Sequence, residues 1–188
     1  FVQGALASST DETTGVVTRS ANPATTFFPD LESMTEELRA NFQSFVTAAG
    51  TDGTGGYAGI APVGQAFLRA VQSGVATRNP YADNALSDGL IDLWFDDAFH
   101  ASKYGSYLSA LTLFGTLTGE NPAQFGYAEQ AAAELGISRE DAWALQRVAA
   151  IELGFTPSLP VPEPGTALLS LVGLAAVIAR RRWLAARG

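Results

Sequence analysis

The chain has no cysteine and a single histidine in 188 residues. Without cysteine there is no disulfide and no thiolate metal site, and the fold is indifferent to the redox state of its compartment. One imidazole argues against a catalytic zinc centre, which usually takes two or three. Charge is also scarce: charged residues make up 16%, with eleven bases against nineteen acids. Four of the bases, Arg180, Arg181, Arg182 and Arg187, stand at the extreme C-terminus. The part before Arg180 keeps seven bases against nineteen acids, a net charge of −12. Such a body repels a phosphate backbone and carries no basic patch laced with aromatics, so no nucleic-acid partner is expected.

What is present is apolar. Hydrophobic residues make up 47%, which is globular composition and enough for one domain with a core, plus a tail. The chain opens on Phe1 with no secretory signal at its front, so further sequence upstream is expected. Residues 1–27 are rich in Ser, Thr, Gly and Asn and read as a loop-rich remnant of that upstream part, with at most a short strand at 15–18. Residues 28–154 read as the domain proper. Asp30 can cap a helix with apolar positions Leu31, Met34, Leu38, Phe42, Phe45, Val46 and Ala49, with Glu32, Glu36 and Glu37 in the first turns, where the dipole favours acids, and Glu36 and Glu37 on a solvated face. "YAGIAPVG" (57–64) reads as a short buried strand and "QAFLRAVQSG" (65–74) as a helix. Helix, strand and helix in succession predict α/β layering around a parallel sheet. Helices are also expected from Ser102 to Leu117, over "QFGYAEQAAAELG" (124–136), and from Ser138, an N-cap with Asp141 three residues on.

The pattern breaks at 155–164, where four prolines between Thr156 and Gly165 make an extended linker. Residues 165–188 follow as an uncharged apolar stretch and a basic tail. As a helix, 165–179 would run roughly 22 Å at about 1.5 Å per residue, short of the hydrocarbon core of about 30 Å. The arginines after it can snorkel and Trp183 suits the interface, so a C-terminal transmembrane helix is expected, with Arg180 to Arg182 in the cytoplasm. The other reading is a buried C-terminal helix. "VPEPGTALLSLVGLAAVIARRR" resembles a PEP-CTERM sorting signal: Pro162, Glu163 and Pro164, then a short apolar segment, then Arg180, Arg181 and Arg182. That resemblance implies an exosortase-type sorting enzyme as partner and cleavage near Pro162–Pro164. It also implies passage from the inner membrane to the cell surface or extracellular matrix of a Gram-negative bacterium, where extracellular polysaccharide is a possible neighbour.

The histidine lies in "LWFDDAFHASKYGSYLSAL" (93–111). Asp97 precedes His100 by three residues. A carboxylate on one imidazole nitrogen fixes the tautomer and leaves the other nitrogen to take a proton from a nucleophile. The plainer reading is a lone loop histidine. "DLWFDDAFHASKYGSYLSALTLFGTLTG" resembles the last characteristic block of SGNH hydrolases, the GDSL-type esterases, and "GIAPVGQAFLRAV" is similar to the strand-to-helix unit before it. The resemblance implies a flavodoxin-like three-layer α/β/α fold, incomplete here at its N-terminus. It also implies ester hydrolysis without a cofactor, with His100 as base and Asp97 as its orienting partner. The chain departs from that pattern in having no G-D-S, G-x-N-D or G-x-S-x-G block. Ser8 and Ser9 lack the strand-to-helix elbow a nucleophile needs. Ser102 and Ser106 read as capping and packing residues. The nucleophile is therefore expected outside this chain. The alternative is a non-enzymatic surface or matrix protein that uses the domain structurally. Trp94 and Phe95 read as core, and Tyr104 and Tyr107 as helix packing. Arg78, Asn79 and Tyr81 are candidates to face the site.

Overall fold

The computed structural model describes residues 2–3, 8–10, 17–19, 25–26, 28, 30–51, 56–80, 82, 84–85, 87–95 and 100–156. The chain divides into two units, 1–158 and 159–188, and all the described residues belong to the first. The expected linker (beyond Thr156), the Pro162–Pro164 motif, the C-terminal apolar helix and its arginines lie outside the described residues. No described helix is long and apolar enough to cross a membrane.

The first unit is helical. Four short strands, β1 (Val2–Gln3), β2 (Ser8–Thr10), β3 (Val17–Arg19) and β4 (Thr25–Thr26), form two antiparallel pairs, β1 with β4 and β2 with β3. Helices follow: α1 (Leu31–Thr51), α2 (Val63–Gln72), α3 (Lys103–Thr118), a 3-10 helix (Pro122–Ala128), α4 (Gln130–Glu134) and α5 (Arg139–Glu152).

The expected flavodoxin-like α/β/α fold is therefore corrected. Among the described residues there is no layered parallel sheet, complete or partial. The predicted strand at 57–64 is an irregular approach to α2. Pro62 removes a donor that a central strand would need, and the Val63 amide bonds to the carbonyl of Ala61 at 2.8 Å, closing a turn instead of a ladder. "LIDLW" (90–94) makes only single bridges, Ala76 with Ile91 in parallel and Trp94 with Ala101 antiparallel. Its Ile91 and Leu93 are buried against helices: Leu93 is 1% exposed and packs with α2 and α3. A short apolar run serves a strand or a helix-packed segment equally well, and only the partner decides.

The core lies where α2, α3 and α5 meet, around Leu108, Leu145, Ala66 and Ala70, all fully buried. One polar pair is built into it. Gln146 Nε2 donates to Tyr107 Oη and to the carbonyl of Gly126, both at 3.0 Å. Burial pushes the Tyr107 hydroxyl above the usual phenol range. Gly126 also explains why the helix predicted over 124–136 is broken. Its φ of 65° and ψ of −159° lie in a region open essentially to glycine alone, and the chain kinks there inside the 3-10 helix, before α4 begins. At the end of the bundle Arg69 Nε donates to Glu152 Oε2 at 2.6 Å, tying α2 to the last turn of α5.

α1 is attached more loosely. Only Met34, Thr35 and Ala49 are buried, while Leu38, Phe42 and Phe45 of its predicted inward stripe stand 45–59% exposed. Its N-terminal turn is fixed by polar contacts. Asp30 Oδ1 accepts from the Ser33 amide at 2.6 Å. Glu32 takes two hydrogen bonds from Arg78, at 2.5 and 3.0 Å. The Arg78 guanidinium holds the Glu32 carboxyl well below the usual range, down to about 2.

Candidate functional site

His100 is exposed, at the closing end of a turn that starts from Leu93. Both sides of the turn are pinned by backbone hydrogen bonds. The Phe95 amide donates to the His100 carbonyl at 2.7 Å, and the Ser102 amide to the Leu93 carbonyl at 2.9 Å. Asp92 Oδ1 accepts from the Trp94 amide at 3.1 Å, fixing the entry. The carbonyl of His100 and the amide two residues after it are thus both held to the entering segment. Asp96 and Asp97 lie outside the described residues, so the structure does not bear on the pairing of Asp97 with His100.

Ser102 closes the exit of the turn and caps α3 at once. Its Oγ donates to the Asp92 carbonyl at 2.7 Å and accepts from the amides of Tyr104 and Gly105, at 3.1 and 3.3 Å. A hydroxyl so engaged is a cap and not a poised nucleophile. Ser106 is exposed on α3. Gly105 sits where α3 crosses the turn. A Cβ there would collide with the Leu93 carbonyl oxygen and press on Phe67 and Ala101 at 3.1 and 3.2 Å. The glycine two positions beyond Lys103 is thus a packing requirement of the turn that carries His100.

Beside the turn lies a trough of about 430 Å³ between α1, α2 and the Leu93–Ala101 segment. Ala101, the residue after His100, lines it, as do Leu93 and Trp94. Met34, Leu38 and Phe42 of α1 form one wall, and Phe67, Leu68 and Val71 of α2 another. The Phe67 and Trp94 rings meet edge to face with centroids 5.5 Å apart. Among the lining residues only Thr35, Arg39, Gln65 and the Trp94 indole offer polar side-chain atoms, and the Thr35 hydroxyl is turned back onto the Leu31 carbonyl at 2.8 Å.

The other candidates separate. Trp94 is half-buried and part of the trough, whereas Phe95, expected in the core, is 56% exposed. Tyr107 is buried in the helical core and Tyr104 packs against it. Arg78 is engaged by Glu32, Asn79 is exposed in the same loop, and Tyr81 lies outside the described residues. Sequence reasoning did not single out the trough. Its one signal was an apolar stripe on α1 longer than its neighbours could cover. Compared with protein-family models, curated proteins and solved structures, the chain shows no match.

Proposed function

We propose that this chain is the base-supplying part of an exported ester hydrolase of the SGNH chemical type. His100 takes the proton from a serine hydroxyl as the serine attacks the ester carbonyl, then returns it to the departing alcohol, with Asp97 holding the imidazole. The proposal concerns these roles and not the three-layer architecture. The chain carries no G-D-S block, so the nucleophile is assigned to residues outside it. The observation that carries the reading is the pinned turn. It presents an exposed imidazole one residue before Ala101, which lines the apolar trough, and acyl transfer asks for a base so positioned.

The test is hydrolysis of p-nitrophenyl esters by two proteins: this chain alone, and the protein expressed from its natural reading frame with whatever precedes Phe1. Turnover is expected from the second and not from the first. A second reading, a non-enzymatic surface protein, is favoured by the engaged hydroxyl of Ser102, the serine nearest His100 in sequence. Absence of turnover from both proteins would select it.

The tail supports export and sorting under either reading. Pro162–Pro164, the uncharged segment and Arg180 to Arg182 occur in the order of a sorting signal. In a Gram-negative host with an exosortase-type enzyme, the mature surface form should lose everything after the linker. Intact-mass measurement of the surface protein checks this; a mass that still includes Arg180 to Arg182 leaves only a membrane anchor.

A further inference from the structure

The trough, at about 430 Å³, has the size of a small-molecule site, for which about 300–1,000 Å³ is usual. Its lining is almost wholly apolar, and an apolar cavity holds water poorly. Its walls are flexible where a linear ligand would need them to give: Met34 has three rotatable bonds, and Leu38 and Phe42 stand on the loosely held part of α1. One polar group of reach is present, the guanidinium of Arg39. Two of its five N–H groups go to Glu36, at 2.6 and 2.9 Å, so it also has donors for an oxygen of the ligand.

We infer that the trough seats an unbranched, medium-length acyl chain, so that the esters taken are those of aliphatic acids and not acetyl esters. This rests on the reading of His100 as base, since the lining passes through Leu93, Trp94 and Ala101 to the residue next to the imidazole. An acyl chain lying in the trough brings its carbonyl end to that side. The volume sets the length. A methylene in packed hydrocarbon takes up about the 30 Å³ share of one water, voids included, so about 430 Å³ holds on the order of ten methylenes. An acetyl group would leave nearly all of it empty.

The probe is a series of straight-chain alkanoates of increasing length, below micelle-forming concentration, with this chain as the protein. An ω-bromo member of the series reports contact by quenching Trp94. Each added methylene should tighten binding about fourfold until the chain is about ten carbons long, after which the gain should stop. Trp94→Phe should remove most of the quenching. Gly64 lines the trough, and a Cβ built on it meets nothing within 4 Å, so Gly64→Phe can obstruct the site without disturbing the helix. Phe42→Glu, at an exposed position, places a like charge in the wall. Both should weaken a ten-carbon ligand at least about tenfold while thermal unfolding stays cooperative. Binding indifferent to chain length, or unaffected by both Gly64→Phe and Phe42→Glu, overturns the inference even where hydrolysis by the natural-length protein depends on His100. Chain-length-dependent binding with hydrolysis indifferent to His100 overturns the catalytic reading, and with it the assignment of the ligand as substrate.

Discussion

Replacing His100 by alanine in the natural-length protein should lower ester hydrolysis at least about a thousandfold, with little change in stability. The size follows from chemistry: a base that both accepts the nucleophile's proton and returns it to the leaving group is used twice per turnover, and its loss removes both transfers. The small stability change follows from structure. His100 is exposed, and its backbone carbonyl accepts from the Phe95 amide across the turn. Alanine keeps that carbonyl. Asp97→Asn should cost as much or less, because it disturbs tautomer and orientation only. Asp96→Asn should be nearly silent. Initial rates on a p-nitrophenyl ester, with a melting curve for each variant, check all three. Equal damage from Asp96→Asn and Asp97→Asn would mean the wrong carboxylate has been paired. Full activity in His100→Ala would return His100 to an ordinary loop histidine.

Gly105→Ala should have the second large effect, and it acts on folding. The added Cβ meets the Leu93 carbonyl oxygen, a backbone atom that already accepts the Ser102 amide and cannot swing aside as a side-chain tip would. Overpacking of this kind costs about 1–3 kcal/mol, and backbone as the obstacle puts it near the top of that range. At roughly 2–4 °C per kcal/mol for a chain of this size, the melting temperature should fall by about 6–12 °C. Gly64→Ala is the matched control. It meets no atom within 4 Å and lies in α2, where alanine is favoured over glycine by up to about 1 kcal/mol. Circular dichroism melts of the two proteins should therefore move in opposite directions. Gly105→Ala melting with the parent would show that α3 does not press on the turn as described.

The helices with local start signals were legible in the sequence. Ser138 caps α5 through the Asp141 amide at 3.0 Å, and Asp30 caps α1, because such signals need only neighbours three residues away. The sheet was misread for the opposite reason. "GIAPV" carries no information about what it packs on, and here its Ile60, Ala61 and Val63 line the trough beside α1 and α2. The helix over 124–136 failed at one residue, since nothing local announces that Gly126 must turn its carbonyl to Gln146, twenty residues ahead. Of the site, the small and glycine residues after His100 were visible as a pattern, but their cause was not. Ser102 and Gly105 answer to Asp92 and Leu93, which lie ten or more residues earlier. The trough was invisible because it is assembled from α1, α2 and the turn, three segments whose meeting no single window of sequence records.

The double duty of Ser102 has a consequence for how the site comes into being. Starting a helix is the costly step, because several residues must be fixed before the first hydrogen bond repays them. In α3 the groups that would start it are the ones that shut the turn: one hydroxyl holds the first amides of the helix and the Asp92 carbonyl together. The start of α3 and the closure of the turn are therefore coupled, since loss of that one hydroxyl weakens both.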